Sequence, residues 1–426
     1  MLWLFLGTLF AFIALGIPVV FALTLSNLAL IVALDVPFSV LGNRLASGIN
    51  SFPLLAIPFF MFVGEVMNRG GIARRLVELA DAIVGHITGG LGHVNIMASM
   101  FFGGISGSAI ADTAAIGGLL IPPMVEQKYP SPYAAAVTAS SAVIGIIIPP
   151  SIPFILYGII TNTSIAQMFI GGIIPGILVG FALMVTTYFT SRRHKYGVAA
   201  EGQKFSLKRL GRAFANVWPA LSIPFIVVGG ILLGVFTATE AGAIAAAASL
   251  LLGLFLYKEI RLRDLPKILL NTAKTTGVVL FLCGMAMVTA WLLTRARVPF
   301  ALAELLTGFT SSPLAVLLMA NLLLFAVGFV MDLTPAMLIL APILLPVMES
   351  VGISPVYFGV VMSINLGIGL ITPPVGTVLY VACGVANIKL EQLVRSLTPF
   401  LITLLIVLAL LISFPQLVLF LPSVLM

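Results

Sequence analysis

The chain has 426 residues, 61% of them hydrophobic and only 8% charged, with a mean hydropathy of +1.21. Soluble proteins carry about 25% charge, so this composition excludes an ordinary globular domain and defines an all-α polytopic protein of the lipid bilayer. The formal charge of +7 resides in basic loops and does not describe a nucleic-acid-binding surface.

Apolar runs long enough to cross a bilayer recur from end to end. Residues 2–33 suit two short helices punctuated by Gly16 and Pro18. This first run lacks a basic start and is too long for a cleavable signal. Further segments are expected at 53–67, 91–123, 134–160, 168–190, 217–236, 240–257, 276–293, 312–347, 356–385 and 397–424. Segments 91–123 and 312–347 are too long for one helix and too short for two full spans, and glycines and polar residues interrupt both, which suits re-entrant hairpins. Segments 134–160 and 356–385 each contain a Pro-Pro pair, which removes two backbone donors and breaks the helix.

Loop 191–216 carries Arg192, Arg193, Lys195, Lys204, Lys208, Arg209 and Arg212, and loop 257–275 carries Lys258, Arg261, Arg263, Lys267 and Lys274. Both read as cytoplasmic by the positive-inside rule. Arg74 and Arg75, like Arg295 and Arg297, adjoin amphipathic stretches that suit interfacial arms. The chain thus divides into helices with an arm (1–90), a hairpin with a broken helix (91–160), a helix with a basic loop (161–216), a second set of helices with an arm (217–311), a second hairpin with a broken helix (312–385) and a C-terminal helix (386–426).

This order repeats. Pro122, Pro149, Pro150 and Pro175 precede Pro346, Pro373, Pro374 and Pro399 by a common 224 residues. The chain is read as an internal duplication of about 1–190 and 217–426. The basic loop 257–275 corresponds to 34–51, where Arg44 is the only base. That asymmetry places the two loops on opposite sides and makes the repeats inverted.

Broken backbone inside a membrane persists only where protein or a watery cavity surrounds it. Inverted repeats with broken helices mark secondary transporters. A break frees carbonyls for a cation and turns a half-helix N-terminus toward an anion. The hairpins complete each site: "FFGGISGSAIADT" (101–113) offers close backbone approach, Ser106 and Ser108, and "VGFVMDLTP" (327–335) is its mate, with Gly104 opposite Gly328 and Ser108 opposite Asp332. Asp112 and Asp332 are carboxylates in apolar segments, which makes them functional candidates; a helix-capping role is the competing reading. Oxygen donors with little charge fit a monovalent ion such as Na⁺ better than Ca²⁺. Glu240 reads equally well as a first-turn helix residue.

No P-loop, HExxH or nucleophile elbow occurs, His86, His93 and His194 are scattered, and Cys283 and Cys383 read as buried free thiols. The chain is therefore read as a non-enzyme.

The stretches "SFPLLAIPFFMFVGEVMNRGG" (51–71), "FFGGISGSAIADTAAIGG" (101–118), "IIIPPSIPFILYG" (146–158), "GLITPPVGTVLYV" (369–381) and "FPQLVLFLP" (414–422) resemble the large membrane subunit of the tripartite ATP-independent periplasmic (TRAP) transporters, over almost the whole chain. The resemblance implies an elevator-type transporter in a bacterial inner membrane. The hairpins and broken helices would form its moving transport domain and the other helices its scaffold. A small four-helix membrane subunit and a periplasmic substrate-binding protein would be its partners, and organic acids, including C4-dicarboxylates and sialic acid, its substrates, taken up with two or more Na⁺. Carried onto this chain, one sodium site would involve Gly328, Gly369, Thr372 and Val375. The other would involve Ser106, with Gly145, Ile148 and Ser151 as repeat equivalents. Ser108, Asp112, Pro150, Asp332, Pro374 and Thr377 are the substrate-site candidates. A stand-alone Na⁺/carboxylate symporter or antiporter, and an assembly subunit without a transport path, are the rival readings.

Overall fold

Short hydroxyl side chains set many of the helix starts. Ser108, Ser151, Ser164, Ser206 and Thr237 each accept a hydrogen bond from the backbone N–H three residues on, satisfying one of the donors that a helix start leaves open. Thr237 and Glu240 close a reciprocal capping box, so Glu240 is a helix-start residue.

A computed structural model describes residues 1–197, 205–309, 312–373 and 375–426; Lys204 and Pro374 lie outside the described residues. The first half forms α1 (Leu2–Ala14), α2 (Val19–Ala33), α3 (Ser39–Ile49), α4 (Ala56–Arg69), α5 (Ile72–Val84), α6 (Gly90–Ser106), α7 (Ala109–Glu126), α8 (Ser131–Ala142), α9 (Ile152–Thr161) and α10 (Ile165–His194). The second forms α11 (Leu207–Leu232), α12 (Ala238–Leu251), α13 (Leu265–Arg295), α14 (Val298–Phe309), α15 (Pro313–Gly328), α16 (Leu333–Ser350), α17 (Pro355–Gly369), α18 (Thr377–Ala386), α19 (Leu390–Ser413) and α20 (Gln416–Leu425). Among the described residues there is no strand, and eight helical stretches are long and apolar enough to cross a membrane.

The expected hairpins are α6–α7 and α15–α16, and the expected broken helices are α8–α9 and α17–α18. The starts of α7 and α16 (Ala109, Leu333) and of α8 and α17 (Ser131, Pro355) keep the 224-residue spacing. Three regions differ from the sequence reading. Residues 34–51 contain α3, a short helix too polar to register as an apolar span. Stretch 257–275 is not a single loop: Pro266 opens α13, whose early turns carry Lys267 and Lys274. The C-terminal region is two helices, because Pro415 cannot donate and Phe414 before it leaves the helical conformation.

The halves pack reciprocally. α7 lies on α18 while α16 lies on α9, and α8 lies on α19 while α17 lies on α10. Glycines make room at the centre: a Cβ on Gly172 of α10 would stand 2.5 Å from the Ile147 carbonyl oxygen. Around this block, α13 packs on α2, α3 and α4, and α12 on α4. Buried Asn27 donates to the Met285 carbonyl at 3.0 Å and accepts from Thr289 at 2.8 Å, so the first and second halves share a satisfied polar clamp. α5 buries its apolar face against α6. Its outer face is tied by Arg74 to Glu259 at 2.5 Å, by Arg75 stacked over Tyr257 at 4.1 Å, and by Asp81 to Arg209.

Candidate ion and substrate site

Both hairpins end against a broken helix, backbone to backbone. In the first, Gly107 takes the left-handed conformation (φ 60°), which turns the chain from α6 into α7. A Cβ on Gly107 would stand 3.0 Å from the Ile152 nitrogen and 3.2 Å from the Pro150 oxygen, and one on Gly103 would stand 2.5 Å from Gly145 Cα. In the second, a Cβ on Gly369 would stand 2.9 Å from both Cα and the carbonyl oxygen of Gly328. Gly328 therefore meets Gly369 as its repeat partner meets Gly145, except that Gly103 takes the contact expected of Gly104, which abuts the Pro149 oxygen instead.

At the first break α8 runs into a tight 3₁₀ turn, Val143–Ile146, before α9 begins. Pro149 and Pro150 have no N–H, so the carbonyls of Gly145 and Ile146 lose their helical donors. The Ser151 hydroxyl replaces one of them, donating to Ile146 O at 2.6 Å while capping α9. At the second break Thr372 Oγ1 donates to Ile368 O at 2.6 Å, and the Val378 N–H reaches back to Leu370 O at 3.2 Å. Ser106, Ser151 and Thr372 are buried, as are Gly145, Gly328 and Gly369, while Ile148 and Val375 are half-buried. The structure thus collects Ser106, Gly145, Ile148 and Ser151 about the first break and Gly328, Gly369, Thr372 and Val375 about the second. The donors collected at the two breaks are carbonyl and hydroxyl oxygens, with the Asp112 carboxylate beside Gly145 at the first, and no cluster of three His, Cys, Asp or Glu exists among the described residues. Such a donor set fits an alkali cation and not a transition metal. At each contact one glycine, Gly103 or Gly369, leaves no room for a Cβ.

A cavity of about 340 Å³ opens between the first hairpin tip and the surrounding helices α4 and α13. Ser106 and Ser108 line it from the tip, Glu65 and Asn68 from α4, and Asn271 and Thr275 from α13; no lining residue is Lys or Arg. Glu65 is committed to Arg69 at 2.8 Å and to the Asn271 amide at 3.0 Å. Of the substrate-site candidates among the described residues, only Ser108 lines this cavity. Pro150 is buried with its carbonyl against Gly107. Thr377 donates to Asp332 at 2.9 Å at the second tip, forming a separate pair. Asp112 is fully buried away from the cavity, beside Gly145, with neither carboxylate oxygen hydrogen-bonded.

Sequence reasoning missed a polar cluster behind the first tip. Asn95 and Ser99 on α6 face Thr138 and Ser141 on α8, all fully buried. The signal was present: polar residues four and three apart in two apolar segments mark one face of each helix. Glu65 and Asn271 carry no sequence signal of a shared site, because nothing local marks two distant helices as neighbours.

An all-helical membrane chain whose hairpin tips seat against buried, oxygen-lined helix breaks has the build of a secondary transporter. Residues 6–417 match the profile of the tripartite ATP-independent periplasmic transporter, DctM component, and the chain belongs to that family. It is 42% identical to the 2,3-diketo-L-gulonate TRAP transporter large permease protein YiaN of Escherichia coli over 97% of both chains. It is also 42% identical to the sialic acid TRAP transporter large permease protein SiaM of Vibrio cholerae, over 98% of this chain and 96% of that one. In fold it is similar to the YdaH transporter of Alcanivorax borkumensis, with 15% identity, a TM-score of 0.61, and 88% and 86% of the two chains covered. The chain is a transport protein of the bacterial inner membrane and not an enzyme.

Proposed function

We propose that this chain is the permease of a Na⁺-coupled uptake system for an organic acid of the sugar-acid, sialic-acid or C4-dicarboxylate class. The substrate is delivered by a periplasmic binding protein, and a small four-helix membrane subunit completes the complex. The observation that carries this reading is the doubled contact of a bare glycine backbone at a hairpin tip with a broken helix, Gly103 on Gly145 and Gly328 on Gly369. Na⁺ binding at these contacts would tie each tip to its broken helix and fix the shape of the substrate cavity. No basic side chain lines that cavity, so a carboxylate there would be met by the Ser108 hydroxyl, the open N–H groups at the start of α7 and the nearby cation.

The reading includes inverted repeats and an elevator motion. Hairpins and broken helices move together as the transport domain, against the other helices as scaffold, with the regions near 191–216 and 257–275 on the cytoplasmic side. Each charge that crosses 100 mV supplies about 2.3 kcal/mol, or roughly fiftyfold accumulation, and Na⁺ in excess of the anion's own charge makes uptake electrogenic. The test is uptake of sialic acid, succinate and sugar acids by proteoliposomes holding the complex, with and without the binding protein, in Na⁺ or in K⁺. Uptake that requires both Na⁺ and the binding protein is expected. Uptake without the binding protein would favour the stand-alone symporter, and uptake indifferent to Na⁺ would overturn the coupling.

A further inference from the structure

Among the described residues Asp112 is the one fully buried carboxylate, and the proposed sites leave it unexplained. Neither of its oxygens is hydrogen-bonded. Ser99 is the hydroxyl beside it, within reach of both Asp112 and, at 3.1 Å, Ser141, so a single proton serves the two. Asn95 gives its amide N–H to Thr138 Oγ1 at 2.7 Å, and Thr138 gives its own proton to the Ala134 carbonyl. That leaves Asn95 Oδ1 as an acceptor, filled by Ser141 at 3.1 Å, so Ser141 in turn accepts from Ser99 at 3.1 Å. The Thr138 and Ser141 protons point away from the carboxylate, which leaves it at most the one shared proton of Ser99. Lone pairs of Ser99 and of Asp112 are left uncommitted in the same enclosed place, beside the bare backbone of Gly145, where a Cβ would stand 3.8 Å from Asp112 Oδ2. A buried ionised carboxylate needs a compensating charge or donors, and converging hard oxygens with one negative charge suit a monovalent cation.

We propose that Asp112 and Ser99 form a cation site of their own behind the first hairpin, additional to the two sites at the breaks. The second repeat has no counterpart. The position 224 residues after Asp112 is Ala336. The position matching Ser141 is Asn365, whose amide N–H groups go to the Asn321 backbone and side-chain oxygens at 2.9 and 2.8 Å. A neutral amide pair thus occupies the place of the charged cluster. The first repeat therefore carries one cation more than the second. This inference rests on the Na⁺-coupled reading above.

The test uses the complete complex in proteoliposomes, with the Na⁺-to-substrate ratio read from the reversal potential, and the purified complex with its thermal transition followed as NaCl replaces KCl. Asp112→Asn, which preserves shape and removes charge, is expected to lower the ratio by one Na⁺ and to shrink the Na⁺-induced rise in transition temperature. An unchanged ratio and an unchanged Na⁺-induced rise in Asp112→Asn would overturn the proposal and assign the carboxylate a bound proton. Should Asp112→Asn fail to assemble, Ser99→Ala is expected to raise the Na⁺ concentration for half-maximal stabilisation severalfold, and no change there overturns the site equally. A wild-type complex indifferent to Na⁺ would bring down the coupled-transport reading and this site with it. A Na⁺-dependent wild type with an unaltered Asp112→Asn removes this site alone.

Discussion

At the first break the hydroxyl stands after the prolines, on Ser151, and also caps α9; at the second it stands before them, on Thr372, and α18 starts without a side-chain cap. The equivalent positions are exchanged: Ile148 matches Thr372, and Ser151 matches Val375. What both breaks share is main chain, since each presses a glycine of the broken helix against a glycine of the hairpin. The comparison separates a requirement from its means. Close approach of two backbones is met in one way, by glycine, because a Cβ on Gly103 or on Gly369 collides with backbone atoms that cannot rotate aside. An extra oxygen near the freed carbonyls is met in two ways, because a hydroxyl can reach from either side of the break.

The largest effect should therefore come from the shared element. Gly369→Ala and Gly103→Ala each force a methyl group into backbone and should abolish uptake, with a stability loss of about 1–3 kcal/mol measured by thermal unfolding of the complex. Thr372→Val keeps the shape and removes the oxygen. It should raise the Na⁺ half-saturation of uptake about tenfold or more while the folded complex remains, and unchanged Na⁺ dependence would count against the second site. Ser151→Ala should do less to Na⁺ dependence and more to stability, about 1 kcal/mol for a lost cap, which is the sharpest test of the different jobs of the two hydroxyls. Gly118→Ala is the control: nothing lies within 4 Å of its would-be Cβ. Uptake should be unaltered, with stability gained by up to about 1 kcal/mol from helix propensity.

The sequence carried the hairpins, the broken helices and their repeat spacing because prolines and glycines at a fixed offset act through covalent geometry, which needs no neighbours to take effect. It also carried Ser151 and Thr372 as oxygen donors at the breaks. It was silent on α3, whose mixed polarity gives no spanning signal, and on the split of α13 from the preceding basic stretch, where lysines mask a helix start. It also grouped Asp112 with Ser108 as substrate-site candidates, whereas only Ser108 of the two lines the cavity. The distance of Asp112 from Ser108 along the chain is one helical turn, so a sequence reading groups the two. In the fold Ser108 caps α7 at the cavity, whereas Asp112 turns inward toward Gly145, where only the packing of α6 against α8 shows its surroundings.

The central claim is that each hairpin tip and its broken helix share a Na⁺ ion. Its most direct test is a high-resolution density map of the whole complex in NaCl, set against one in choline chloride. The account predicts a compact non-protein peak at each break, ringed by carbonyl and hydroxyl oxygens that include Ser151 or Thr372, present in sodium and gone in choline. Identical maps in the two salts, or helices running unbroken through 146–152 and 369–375, would contradict it.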